Sequence, residues 1–88
     1  MKFDCNSKLI NENLNERELK ILFLIANGAS NAKVGMKLYL SPETIKFAVA
    51  AILKKLKVRN RAQAVFVVTE NGIFKNNQSL FDSFKDEF

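Results

Sequence analysis

The stretch Leu38-Tyr39-Leu40-Ser41-Pro42-Glu43-Thr44 constrains this chain most, because it makes one helix end and another begin within a few residues. Pro42 has no amide hydrogen and a fixed φ, so it suits the first position of a helix and breaks the interior of one. Ser41 before it can cap the new helix, and Glu43 suits the positive end of the helix dipole. The spacing predicts a helix from Pro42 to about Lys55. Upstream, Ser30 can cap a short helix that carries Val34 and Leu38 on its inner face and ends near Tyr39-Leu40. Lys33 stands where the acid of a capping box would be. Gly35 inside that helix costs about 0.5 to 1 kcal/mol of propensity, so this helix is expected to be the loosest.

Two further helices flank the pair. At Asn15, the side chain can accept from the amide three residues on while Glu18 reaches back, and Leu14 can staple onto Leu19. Leu14, Glu18, Ile21, Leu22 and Ile25 then share one face, and Gly28 supplies a left-handed stop, so the first helix spans roughly 16–27. The last helix is predicted to start at Asn60, with Gln63 completing a capping box. It runs through Ala64, Val65 and Val68 and stops at Asn71-Gly72. The fold class is all-α: a four-helix domain over residues 14–72, in which the second and third helices form a helix-turn-helix. Residues 1–13 are polar, lack helical period and read as a loose arm. Residues 73–88 form an extension in which Leu80, Phe84 and Phe88 recur every fourth residue and can make a short helix.

Residues 30–61 hold eight basic side chains (Lys33, Lys37, Lys46, Lys54, Lys55, Lys57, Arg59 and Arg61) and one acid, Glu43, whereas the flanks hold six basic and eight acidic. So concentrated a positive field favours a polyanion, because each cation placed on a phosphate releases a condensed counterion. Catalysis lacks its usual groups: there is no His, the one cysteine, Cys5, lies in the arm, and no glycine loop can cradle phosphate. Nothing calls for a metal or a cofactor. No apolar run is long enough to span a bilayer, which makes a cytoplasmic protein the economical expectation. Eighty-eight residues suit one core, with no room expected for a separate sensing domain.

The combined spacing of Leu14-Asn-Glu-Arg-Glu18, Ile21-Leu22, Gly28-Ala-Ser-Asn31, Leu38-Tyr-Leu-Ser41, Thr44-Ile-Lys46, Ile52-Leu-Lys-Lys-Leu56, Val58-Arg-Asn-Arg-Ala62 and Ala64-Val65 resembles the helix-turn-helix domain of LuxR-, FixJ- and GerE-type regulators. The resemblance covers about two thirds of the chain. It implies a bacterial, DNA-binding transcription regulator whose third helix enters the major groove, whose second lies across the backbone, and whose fourth pairs in a dimer. The chain departs from the family's usual pattern at three places. Ala32-Lys33 replaces a Lys-Glu pair, Gly35 replaces Ala, and Phe47-Ala48 replaces a polar residue followed by His.

On a helical wheel, Ile45, Val49, Ile52 and Leu56 form the core stripe of the third helix, leaving Glu43, Lys46, Phe47, Ala50 and Lys54 outward. In a reader of double-stranded DNA, Lys46 and Lys54 would hold phosphates or a guanine edge. Thr44 would bond a phosphate, and Phe47 and Ala50 would touch thymine methyls. Lys33, Lys55, Lys57, Arg59 and Arg61 would add backbone contacts. Such a face is poor in hydrogen-bonding readout, so modest base discrimination is expected. Val65-Phe66-Val67-Val68 is apolar on more than one face. Either a homodimer through Phe66 and Val67 or cover by Leu80, Phe84 and Phe88 would bury the excess. An alternative function follows from Phe47, Ala48, Ala50 and that apolar helix: a modulator that keeps the fold but pairs with another regulator through protein contacts.

Overall fold

A computed structural model describes residues 14–78, and the expectations for the arm and for Leu80, Phe84 and Phe88 lie outside them. The described residues form five helices and no strand: α1 (Glu16–Ala26), α2 (Asn31–Leu38), α3 (Pro42–Leu56), α4 (Arg61–Glu70) and α5 (Ile73–Asn76). The all-helical class and the first four helices match the sequence reading to within a residue or so at each end.

Four short polar side chains start the four long helices. Asn15, Ser30, Ser41 and Asn60 each accept from the backbone amide three residues on, at 2.8, 3.2, 3.1 and 2.8 Å. At Asn15 the box closes, because the Asn15 amide donates to Glu18 Oε1 at 2.9 Å. Leu14 and Leu19, both buried, form the staple beside it. At Asn60 the expected box does not close. Gln63 Oε1 instead accepts from the amide of Arg59 at 2.7 Å. Asn60 is more fully extended (φ −149) than Asn15 (φ −81), which turns its own amide away from the helix.

The first three helices also stop by one device. The amides of Ala29, Leu40 and Val58 each donate to the carbonyl five residues back, on Leu24, Gly35 and Leu53, and each of the three side chains is buried or packed against the core. The left-handed residue before each is Gly28, Tyr39 and Lys57. Only the first was expected. A side chain at such a position costs about 1 to 2 kcal/mol, which the burial of Leu40 and Val58 offsets.

Gly35 proves to be a packing residue. A Cβ built there would overlap the carbonyl oxygen of Leu40 and come within 3.3 Å of two more backbone atoms. The α2–α3 turn folds directly over this position, so the propensity lost inside α2 is the cost of a tight turn. α2 packs most extensively on α3, and α1 and α4 close the other sides.

Ile21, Leu22, Leu24, Val34, Ile45, Ile52, Leu56, Ala64, Val67 and Val68 make the centre of the core, all at most 2% exposed. Val67 thus corrects the expectation that it faces a partner: α4 lies against both α1 and α3 and turns Val67 inward. Ile73, at the start of the extension, is also fully buried, and Phe74 meets Phe23 of α1 edge to face at 5.6 Å. α5 therefore covers part of α4 that the sequence left open.

Candidate nucleic-acid interface

α3 turns its core stripe of Ile45, Val49, Ile52 and Leu56 inward as expected, and its opposite side lies open. Glu43, Thr44, Lys46, Phe47, Ala50, Ala51 and Lys54 are all exposed. At ~100° per residue, Phe47 and Lys54 fall within about 20° of each other two turns apart, at the crest of this face. Phe47 is 70% exposed, with small alanines on either flank. Ala51 belongs to the same surface, a position the sequence reading omitted although the wheel places it there.

The cations divide into two sets. The side chains of Lys33, Lys46, Lys54, Lys57 and Arg59 make no hydrogen bond or ion pair among the described residues, and all five are exposed. Lys55 differs: its ammonium donates to both carboxylate oxygens of Glu18 at 2.9 Å. One residue past the crest, its side chain swings toward α1, where Glu18 is nearly buried. Two of the three ammonium donors of Lys55 are thus committed to the scaffold, which leaves at most one for a phosphate. Arg61 is tethered more lightly, with Nη2 donating to Asn31 Oδ1 at 3.1 Å. That bond draws the start of α4 to the start of α2, two residues from Lys33.

Thr44 lies in the first turn of α3, its hydroxyl 2.9 Å from Ser41 Oγ. When Ser41 donates in that contact, the Thr44 proton remains available to an acceptor outside the protein. Two further side chains stand out of the surface: Met36 on α2, 74% exposed, and Tyr39 at the α2–α3 turn, 94% exposed. Met36 was legible as a residue off the Val34–Leu38 face; Tyr39 was not, since its outward direction follows from its left-handed backbone. On α4, Phe66 is 54% exposed and Val65 half-buried, so the apolar excess there is smaller than the sequence suggested.

No group of three or more His, Cys, Asp or Glu side chains among the described residues is arranged to hold a metal, and no described helix is long and apolar enough to cross a membrane. The arrangement is a capped helix presenting cations and a ring, packed on its neighbouring helices.

The family model for bacterial regulatory proteins of the luxR family matches residues 12–68, which takes in all of α1 to α3 and most of α4. The chain belongs to the luxR family. Similar proteins include the transcriptional regulatory protein LiaR of Bacillus subtilis, 41% identical over 71 residues, or 81% of this chain and 34% of LiaR. The response regulator protein VraR of Staphylococcus aureus is 39% identical over 64 residues, or 73% of this chain and 31% of VraR, and VraR of Staphylococcus epidermidis matches to the same extent. This luxR-family chain thus spans about a third of the length of the curated relatives it matches.

Proposed function

We propose that the chain is a transcription regulator that binds duplex DNA through the outer face of α3, lying in the major groove with Phe47 and Ala50 toward the bases. The observation that carries this reading is the pairing of an open α3 face with cations that the fold leaves uncommitted, Lys46 and Lys54 above all. Lys33, Lys57, Arg59 and Arg61 rim it from α2 and from the α3–α4 turn. Membership of a family of bacterial regulatory proteins supports the same reading, as does the naming of LiaR as a transcriptional regulatory protein. The site of action is the bacterial cytoplasm, where the DNA is. Phe66 on α4 is the contact through which two copies pair, each presenting one α3 to a half-site.

Phosphate contacts dominate affinity in such a complex, and direct readout is limited to thymine methyl groups at Phe47 and Ala50 and a guanine edge at Lys46 or Lys54. Fluorescence anisotropy with a labelled duplex tests this. Binding should weaken steeply between ~50 and ~200 mM salt, and Lys46→Ala with Lys54→Ala should remove most of it. No duplex binding at low salt, or binding indifferent to both substitutions, sinks the reading.

The 70% exposure of Phe47 favours a second reading, in which the same face engages another regulator instead of DNA. Recovery of one protein partner by the intact chain, lost on Phe47→Asp, with no duplex binding, selects it.

A further inference from the structure

Between Lys46 and Lys54, α3 runs Phe47-Ala48-Val49-Ala50-Ala51-Ile52-Leu53, seven residues without a hydrogen-bonding side chain. Val49 and Ile52 are buried, and Ala48 and Leu53 pack against the core. The exposed surface of this stretch is therefore Phe47, 70% exposed, with Ala50 and Ala51 beside it. Phe47 and Ala51 are one turn apart, about 6 Å along the helix axis, and successive base pairs lie about 3.4 Å apart. The patch thus faces about two adjacent pairs. Lys46 and Lys54 bracket it, and neither side chain has a partner among the described residues. An apolar patch between two uncommitted cations suits a surface that is anionic at its rims and apolar between them. The major groove of duplex DNA has that character where a pyrimidine carries a methyl group at C5. The other groups that distinguish base edges there are hydrogen-bond donors and acceptors, and Phe47 would strip their water without replacing it.

We infer that the outer face of α3 selects duplex DNA by the C5-methyl group of its pyrimidines, with Phe47 as the selecting side chain, and that 5-methylcytosine serves it as thymine does. The inference rests on the DNA reading above and names what that interface chooses. Cytosine lacks the group. Methylation at C5 places it where thymine carries it and changes neither the N4 donor nor the charge. Contacts from the lysines to phosphate position the helix and carry no sequence information, so the choice between methylated and unmethylated pyrimidines falls to the ring. Burying one methyl group is worth about four-fold in affinity. Cytosine methylation within a site then raises its occupancy without any change in the protein.

The probe is a duplex enriched from a random-sequence pool by the full chain. It is then resynthesised with uracil at every thymine, with each T·A pair in turn changed to C·G, and with the same pairs changed to 5-methylcytosine·G. Anisotropy titrations at one salt concentration give the affinities. Uracil should weaken binding about four-fold for each methyl group contacted. At a contacted pair, 5-methylcytosine should bind about four-fold tighter than cytosine. Phe47→Ala should bring both ratios below about two-fold while keeping the native salt slope, because its phosphate contacts persist. Equal binding of the thymine and uracil forms, equal binding of the cytosine and 5-methylcytosine forms, or a methyl preference undiminished in Phe47→Ala overturns the inference and leaves the DNA reading standing. Recovery of no duplex at low salt overturns both.

Discussion

The ammonium of Lys55 lies 2.9 Å from both carboxylate oxygens of Glu18, and one of those oxygens also accepts the amide of Asn15 at 2.9 Å. One buried carboxylate therefore closes the start of α1 and ties α1 to the end of α3. Replacing Lys55 by Met leaves Glu18 nearly buried with a single donor, and should lower stability in urea unfolding by about 1 to 2 kcal/mol. Glu18→Ala removes the box and the pair together and should cost about 2 to 3 kcal/mol. The double substitution should cost less than the sum, because the two residues share one interaction.

Gly35→Ala offers the opposite of a helix-propensity experiment. In an exposed helix the change would stabilise by up to about 1 kcal/mol. Here the added methyl meets the Leu40 carbonyl, which is backbone and cannot rotate away. The expected outcome is a loss of about 1 to 3 kcal/mol, as for other overpacked sites, read as a lower urea midpoint with an unchanged slope. A more stable variant would show that the turn is looser than described.

Tyr39 has a left-handed backbone (φ 59) and a side chain 94% exposed. Tyr39→Gly relieves the backbone without removing a packed group, though the unfolded chain gains freedom. The net expectation is stabilisation by up to about 1 kcal/mol, seen as a higher thermal midpoint. A marked loss of stability would mean that the ring packs on the protein in solution.

Ile73 is fully buried beside α4. Ile73→Ala should destabilise by about 2 to 4 kcal/mol, and intrinsic protection of α4 amides from hydrogen exchange should fall with it. A change under about 0.5 kcal/mol, the size of an ordinary surface substitution, would separate α5 from the core.

Local chemistry was legible in the sequence and distant chemistry was not. Asn15, Ser30, Ser41 and Asn60 cap amides three residues away, so their role is written within one turn, and the Ile45–Leu56 stripe follows from helical period alone. Lys55 and Glu18 are 37 positions apart, and no spacing rule joins them. Lys57, like Tyr39, adopts a left-handed backbone because the residue after it is packed inward, which only the tertiary structure dictates. Val67 looked surplus while α4 was read as having one inner face; packing on α1 and α3 and cover from α5 use more of it. On α3, the outward direction of Lys46, Phe47, Ala50 and Lys54 was read from the wheel, whereas the pairing of Lys55 with Glu18 required the fold.

The adjacent lysines Lys54 and Lys55 separate interface from scaffold most directly. The measurement is the slope of log affinity against log salt for duplex binding by the native chain, Lys54→Met and Lys55→Met. Lys54→Met should lower the slope by about 0.9, the contribution of one phosphate contact on B-form DNA, whereas Lys55→Met should leave it unchanged despite its lower stability. A slope unmoved by Lys54→Met, or moved equally by both, contradicts a DNA interface on the outer face of α3.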